Sequence, residues 1–303
     1  MRDEFLKVRT GPHGTKLRQV AMFDACTGRW LGSFTTGART VMLRGPLRTF
    51  RENEHAVRHA FWVRTCPQPF DEQDFDPRWL ARALEANERA EPDILALAMQ
   101  YLAGHAPILG DGDPLLQIAG DASYGPVSGD SREEGSDFND YLGVAWTYVD
   151  EAPDPPETRQ FRCLDCSGYV RMVFGYRRNL SGPHPGQIEL SRAPRKDRST
   201  IPRRAHEMAS HAPGVLVVAP SERATAPYSR LAAGDLVFFD ADSGDGPQVD
   251  HVGIYVGRDT RGHHRFVSSR KRADGPTMGD LGGRSILDGD GLYARAFAAA
   301  RRL

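Results

Sequence analysis

Two of the four cysteines stand three apart in "CLDCSGYVRMVFGY", residues 163–176, and such a pair admits three chemistries. A redox pair needs a thioredoxin-like strand before it, and a zinc pair needs a second Cys/His pair at ligand spacing. His206 and His211 offer only an i, i+5 pair with no further cysteines, so no metal site is expected. The third chemistry is nucleophilic. Ser167 can open a helix whose apolar face is Val170, Val173 and Phe174. That places the Cys166 thiol at the positive helix end, where the macrodipole lowers a thiol pKa. A buried, inert Cys166 stays open as the plainer alternative.

A cysteine nucleophile needs a base that is adjacent in space rather than in sequence. "LAAGDLVFFDADSGDGPQVDHVGIYVG" supplies one. Alternation along the strand puts His251, Gly253 and Tyr255 on one face and Val252, Ile254 and Val256 on the other, so the histidine begins a strand anchored by its apolar side. If "RDTR", residues 258–261, is a four-residue hairpin loop, Gly257 faces Gly262 and the ladder pairs His251 with Ser268. His264 then lies four residues along the strand, about 13 Å from His251 at ~3.3 Å per residue. Ser268 is the expected orienting partner, its hydroxyl accepting from the imidazole Nδ1–H.

The elements that must hold these residues follow from periodicity. "QVAMFDACTGRWLGSFTTGARTVMLRGPLRTF" reads as short strands broken by "TG" and "RGP", with "AFWVRTCPQPF" as one more. Helical spacing in "DPRWLARALEANERAEPDILALAMQYLAG" predicts two helices starting near Asp76-Pro77 and Pro92-Asp93. These close a first module at about residue 104. Residues 105–139, rich in Gly, Ser and Asp around "GDASYGPVSGDSREEGSDFND", read as a linker or long loop, with "REEGSD" a solvated stretch. Beyond it come the helix from 167, a Pro- and Arg-rich loop over about 181–204, and the runs "GDLVFFDA", "DHVGIYVG" and "HRFVSSR". A helix followed by antiparallel strands predicts an α+β domain over 140–303.

With 303 residues, 39 Lys+Arg against 40 Asp+Glu and a net charge of −1, the chain has no electrostatic pull toward nucleic acid or anionic membranes. No apolar run long enough to span a membrane and no signal-peptide pattern is visible, so the sequence reads as cytoplasmic or exported by a non-classical or phage-like route. Four cysteines at this length are too few for a disulfide scaffold.

Three blocks in order, Asp165 to Val170, Leu231 to Phe239 with "GDLVFF", and His251 to Gly257, resemble the signature blocks of the NlpC-type cell-wall cysteine peptidases, papain-like enzymes. The resemblance covers roughly residues 140–303, and the terminal "YARAFAAARRL" is similar to that family's closing strand. It implies a helix-borne cysteine on a five- or six-stranded antiparallel sheet, and hydrolysis of amide bonds in peptidoglycan stem peptides, such as those between D-glutamate and diaminopimelate. Cys166, His251 and Ser268 are then the candidate catalytic residues, with no cofactor required. The family's tyrosine ahead of the cysteine has Trp146 in that place, with Tyr148 two residues later, and no glycine pair. Trp146, Tyr148, Asp165 and Ser167 are the candidate substrate-side residues, with core packing equally open for the two aromatics and a cap or turn role preferred for Asp165. An acyltransferase or amidase on a non-wall substrate, and an inactive binding module on the same fold, are the rival functions. The first module is left to bind glycan, cap the groove or dock to a larger assembly.

Overall fold

The computed structural model describes residues 17–110, 113–177, 188–225, 228–242, 244 and 246–303. The expected helix end at 178–180 and the first part of the 181–204 loop lie outside them. Four strands come first: β1 (Gln19–Phe23), β2 (Trp30–Thr35), β3 (Thr40–Glu52) and β4 (His55–Thr65), a consecutive antiparallel meander. "RGP" does not end a strand. β3 runs through it with an irregularity between Arg44 and Arg48 opposite β4, since proline is tolerated at a bulge where no ladder N–H is required.

α1 (Pro77–Glu88) is capped by Asp76, whose side chain accepts the Arg78 N–H, with Pro77 in the first turn. Its Trp79, Leu80 and Ala83 pack with Phe34, Val41, Leu43 and Phe70 of the meander side. α2 (Ile94–Met99) starts at Asp93, which caps Ala96 N–H and is buried against Arg48 at 2.5 Å. Burial alone would raise the Asp93 carboxyl, but Arg48 and the cap hold it below its ordinary value. The helix is thereby tied to β3.

β5 (Ile108–Gly110) and β6 (Asp113–Ala119) form a small hairpin, as do β7 (Val127–Ser128) and β8 (Ser131–Arg132). After α3 (Phe138–Leu142) comes α4 (Cys166–Arg171), continued by a wider π turn through Tyr176. α5 (Ala205–His211), β9 (Val215–Val218), β10 (Leu236–Phe239), β11 (His251–Arg258), β12 (His264–Arg270), β13 (Gly275–Thr277), α6 (Leu292–Ala296) and β14 (Phe297–Arg302) complete the chain. The large sheet has six strands in the order β13-β12-β11-β10-β14-β9. Its neighbours are antiparallel throughout. β9 and α5 are not among the elements expected from sequence.

The boundary expected at residue 104, and the linker over 105–139, do not match how the core is distributed. One continuous apolar core joins Val63, Leu95 and Ala98 to Ile118, Phe138, Val170, Leu236 and Val252. Tyr169 of α4 donates to the Ala98 carbonyl of α2 at 2.8 Å. The Leu303 carbonyl accepts from the Arg39 and Thr40 N–H groups, and Glu52 accepts from the Thr277 hydroxyl and the Met278 N–H. β4 and α2 therefore share the core of the large sheet, while α1 and the rest of the meander pack around a core of their own. A Gly- and Ser-rich composition signals irregular backbone, and here that backbone is exposed over 127–131 and at Glu134 and Gly135 but packed at Ala122, Tyr124 and over 136–139.

Candidate active site

Asp165 begins the site. As N-cap of α4 it accepts the Gly168 N–H at 2.7 Å and the Ser167 hydroxyl at 3.0 Å. Its other oxygen takes the Arg203 guanidinium at 2.7 Å and the Gly135 N–H at 3.1 Å. Arg203 also donates to Ser167 Oγ at 2.6 Å. Both Asp165 and Ser167 are buried in this network, so their polar atoms hold the start of the helix in place. A second buried carboxylate, Asp137, accepts from Arg171 at 3.0 Å and from the Tyr148 hydroxyl at 3.0 Å. Burial would raise the Asp137 carboxyl, but Arg171 and Arg203 hold it below the usual range.

Glycine at 168 is required by approach. A Cβ there would collide with the Ser136 carbonyl oxygen, so the segment 133–137 can lie on the helix start only if the third residue of "CSG" has no side chain. This is the stretch expected to be solvated. Ser136 and Asp137 are buried instead.

Cys166 occupies the first position of α4 and is 6% exposed. Its Sγ lies 4.0 Å from the Asp250 carbonyl oxygen, and the thiol also feels the Val252 N–H. The backbone groups on either side of His251 thus flank the sulfur. Burial, and then the Asp165 charge, push the thiol well above its ordinary value, against the pull of Arg203. That reverses the lowering expected from the helix end, because loss of solvent outweighs a partial charge.

His251 is the first residue of β11, and its Nε2 lies 3.0 Å from Ser268 Oγ. Burial, with Arg270 second, lowers its pKa from 6.5 to about 3. The pair of groups therefore rests as neutral thiol and neutral imidazole.

The route from β12 to His251 differs from the sequence-derived register. Observed partners are Ile254 with Val267, Tyr255 with Phe266, and, beyond an irregularity at Val256, Gly257 with Arg265 and Arg258 with His264. The hairpin loop spans 259–263 rather than 258–261, which moves the pairing by three at Gly257, and the bulge takes one back, a net shift of two. Ser268 consequently stands level with Gly253 and reaches His251 diagonally. A Cβ on Gly253 would come within 2.9 Å of the Val267 carbonyl and 3.2 Å of Ser268 Cβ, so "HVG" needs its glycine for Ser268 to close in. The nitrogen that meets Ser268 is Nε2, not the Nδ1 expected. His264 instead pairs its Nδ1 with the Tyr255 hydroxyl at 2.7 Å.

The structure does not bring Trp146 or Tyr148 to the thiol. Trp146 packs edge-on against Phe138 and Tyr176, and Tyr148 spends its hydroxyl on Asp137. Two tyrosines have hydroxyls close enough to feel the Cys166 charge, Tyr293 and Tyr124, and sequence reasoning missed both. Tyr124 is buried, and its hydroxyl is pushed up by burial and then by the neighbouring Cys166 and Asp165. "SYGP" carried the signal, a tyrosine followed by glycine, hidden in a segment taken for linker. Tyr293 of α6 completes the wall, its ring 5.2 Å from that of His251.

Cys163 accompanies Cys166 in sequence only. It is buried, its thiol directed to the Phe161 carbonyl at 3.6 Å, and burial pushes it up to about 11. All four cysteines are free, and no group of three or more His, Cys, Asp or Glu side chains suited to a metal occurs among the described residues. No helix among the described residues is long and apolar enough to cross a membrane.

No curated protein matches the chain. The NlpC/P60 family model matches residues 156–277, a span that runs from just before the Cys166 helix to the end of β13. The match is to the family that the chain's three sequence blocks resemble, and all three blocks lie within it.

Proposed function

We propose that the protein is a cysteine peptidase or amidase that hydrolyses amide bonds of peptidoglycan stem peptides, such as the D-glutamyl-diaminopimelate bond, on a papain-like domain. The observation that carries this reading is the thiol at the first position of a helix, seated against the backbone on both sides of a strand-initial histidine. The NlpC/P60 match over the same residues supports the hydrolase class.

The chemistry follows from the groups present. His251 takes the Cys166 thiol proton as the sulfur adds to the amide carbonyl carbon. The oxyanion is met by the Cys166 N–H, which has no intrahelical acceptor at this helix position. As the C–N bond breaks, His251 returns the proton to the leaving amine, and a thioester remains on Cys166. Water then adds to the thioester with His251 as base, and the acid leaves with the thiol restored. With both groups resting neutral, His251 acts as a general base rather than as half of a standing ion pair. Ser268 positions the ring.

Incubation with purified wall fragments tests the reading. The expected result is a new free amine identified by mass spectrometry, absent with Cys166→Ala; a wall digest indistinguishable from the untreated control overturns it. One observation favours a second reading, a binding module without turnover: both Cys166 and His251 are almost wholly buried. Intact wall fragments retained by the protein in a pull-down, with no new amine, decide for it.

A further inference from the structure

Arg270 lies behind the histidine. It is 1% exposed and forms no ion pair among the described residues; Glu52 and Asp280 are the carboxylates whose charge reaches it. Its Nη groups donate to the Gly283 carbonyl at 2.5 Å and to Ser285 Oγ at 2.5 Å, and the guanidinium lies over the Tyr293 ring at 4.5 Å. Burying a cation without a counter-charge is costly. The remaining donor, Nε–H, goes to Ser268 Oγ at 3.0 Å, the same oxygen that meets His251 Nε2 at 3.0 Å.

A serine hydroxyl has two lone pairs and one proton. Arg270 fills one lone pair. If His251 Nε2–H filled the other, the hydroxyl proton would have no acceptor, because no other acceptor lies within reach of Ser268 Oγ among the described residues, and Ser268 is 0% exposed. Leaving a buried donor unmade costs about 1–3 kcal/mol. Donation from the hydroxyl to Nε2 satisfies every group, and a hydroxyl already accepting from a cation is the stronger donor.

We propose that Arg270 is a positioning residue that acts through Ser268 to fix the resting tautomer of His251 with its proton on Nδ1. The direction of polarity is Arg270 Nε–H to Ser268 Oγ–H to His251 Nε2. On the hydrolase reading the thiol proton goes to Nδ1, the nitrogen that Ser268 leaves free; in this tautomer Nδ1 already carries a proton, so only the minor tautomer is competent and turnover scales with its fraction. The rings against the imidazole are consistent with its neutral form: Phe239 of β10 at 5.9 Å and Tyr293 from α6 at 5.2 Å, whose hydroxyl is also raised by burial. Asp250, the preceding residue, directs a carboxylate oxygen to the Ala241 and Asp242 N–H groups. The consequence for rate rests on the hydrolase reading; the tautomer does not.

The test is 15N NMR of the imidazole nitrogens in the full chain at neutral pH, with His251 assigned by comparison with His251→Gln. The expected spectrum shows a protonated Nδ1 and a bare Nε2. In Ser268→Ala, which breaks the relay at a small side chain, the proton moves to Nε2. In Arg270→Met, the tautomer moves the same way, and alkylation of Cys166 by iodoacetamide at pH 7 speeds up about tenfold, equivalent to ~1.4 kcal/mol. A native spectrum with the proton on Nε2, or an Nδ1 proton that persists in Ser268→Ala, overturns the proposal. Should Arg270→Met not fold, the native and Ser268→Ala spectra decide. If wall fragments are never cleaved while Nδ1 carries the proton, the hydrolase reading falls and the relay stands.

Discussion

Cys166 and Cys163 sit three apart with unlike surroundings, and reactivity follows surroundings rather than spacing. Near neutral pH the Cys166 thiol is held neutral by burial and by Asp165. Iodoacetamide at pH 7 should therefore modify exposed Cys26 well before Cys166. Peptide mapping that finds Cys166 modified first would show a standing thiolate. Cys163→Ala should keep most of the proposed amide-cleaving activity, measured as amine release, because among the described residues its thiol hydrogen-bonds only the Phe161 carbonyl; loss equal to that of Cys166→Ala would revive a paired-cysteine chemistry. The types and order of Cys166, His251 and Ser268 were legible in the sequence as candidates. The protonation states were not, since they depend on burial and on Arg203 and Arg270, which reach the site from outside the motifs. Tyr124 escaped for a related reason: a lone aromatic in a polar stretch shows no period.

At the scale of elements, two glycines explain why short motifs have the form they do. Gly168 lets the 133–137 segment lie on the start of α4, and Gly253 lets Ser268 stand level with it beside His251. Gly253→Ala should push Ser268 away from His251 and move the imidazole proton to Nε2, as Ser268→Ala does, while the melting temperature falls by several degrees, the usual range for an overpacked site. An unchanged tautomer in 15N NMR would mean that the close approach of Ser268 beside Gly253 does not set it. His264→Ala, which removes the partner of the Tyr255 hydroxyl and a ring packed on Tyr228 and Tyr255, should lower the melting temperature but leave kcat within a factor of about two. Strand existence was readable from alternation in "DHVGIYVG" and "HRFVSSR". Register was not, because the bulge at Val256 leaves no mark in a hydrophobic pattern. Helix starts were readable at Asp76 and Asp93, where a capping side chain and a proline state the boundary locally.

For the molecule as a whole, β4 and α2 lend their apolar faces to the core of the large sheet and so tie the first hundred residues to it. A 105–303 fragment would expose the faces of α4 and the large sheet that Leu95, Ala98 and Val63 cover. It should aggregate or melt without cooperativity in calorimetry; a soluble fragment with a sharp transition would restore an independent first module. Composition alone suggested a linker because Gly and Ser mark irregular backbone, and irregular backbone is not by itself exposed. Acid stability reads out the same core. His251 titrates at about 3 and His59 at about 4 in the folded protein, both lowered from 6.5, His251 by burial and then Arg270, His59 by burial and then Arg48. Unfolding releases both imidazoles to take up protons, so their neutral burial is stabilising above about pH 6.5 and loses ground as pH falls toward 4 and then 3. The melting temperature should drop between pH 7 and 4.5, by an amount that is smaller in His59→Gln. A flat profile over that range would mean the histidines are not buried neutral.

The central claim, that Cys166 forms an acyl intermediate with a wall-derived peptide, is met most directly by acid-quenching the enzyme during turnover of purified stem peptide and weighing the intact protein. The account predicts a mass gain equal to the acyl fragment, mapped by proteolysis to the peptide that contains Cys166. Steady cleavage with no adduct, or with the adduct on another residue, would contradict it.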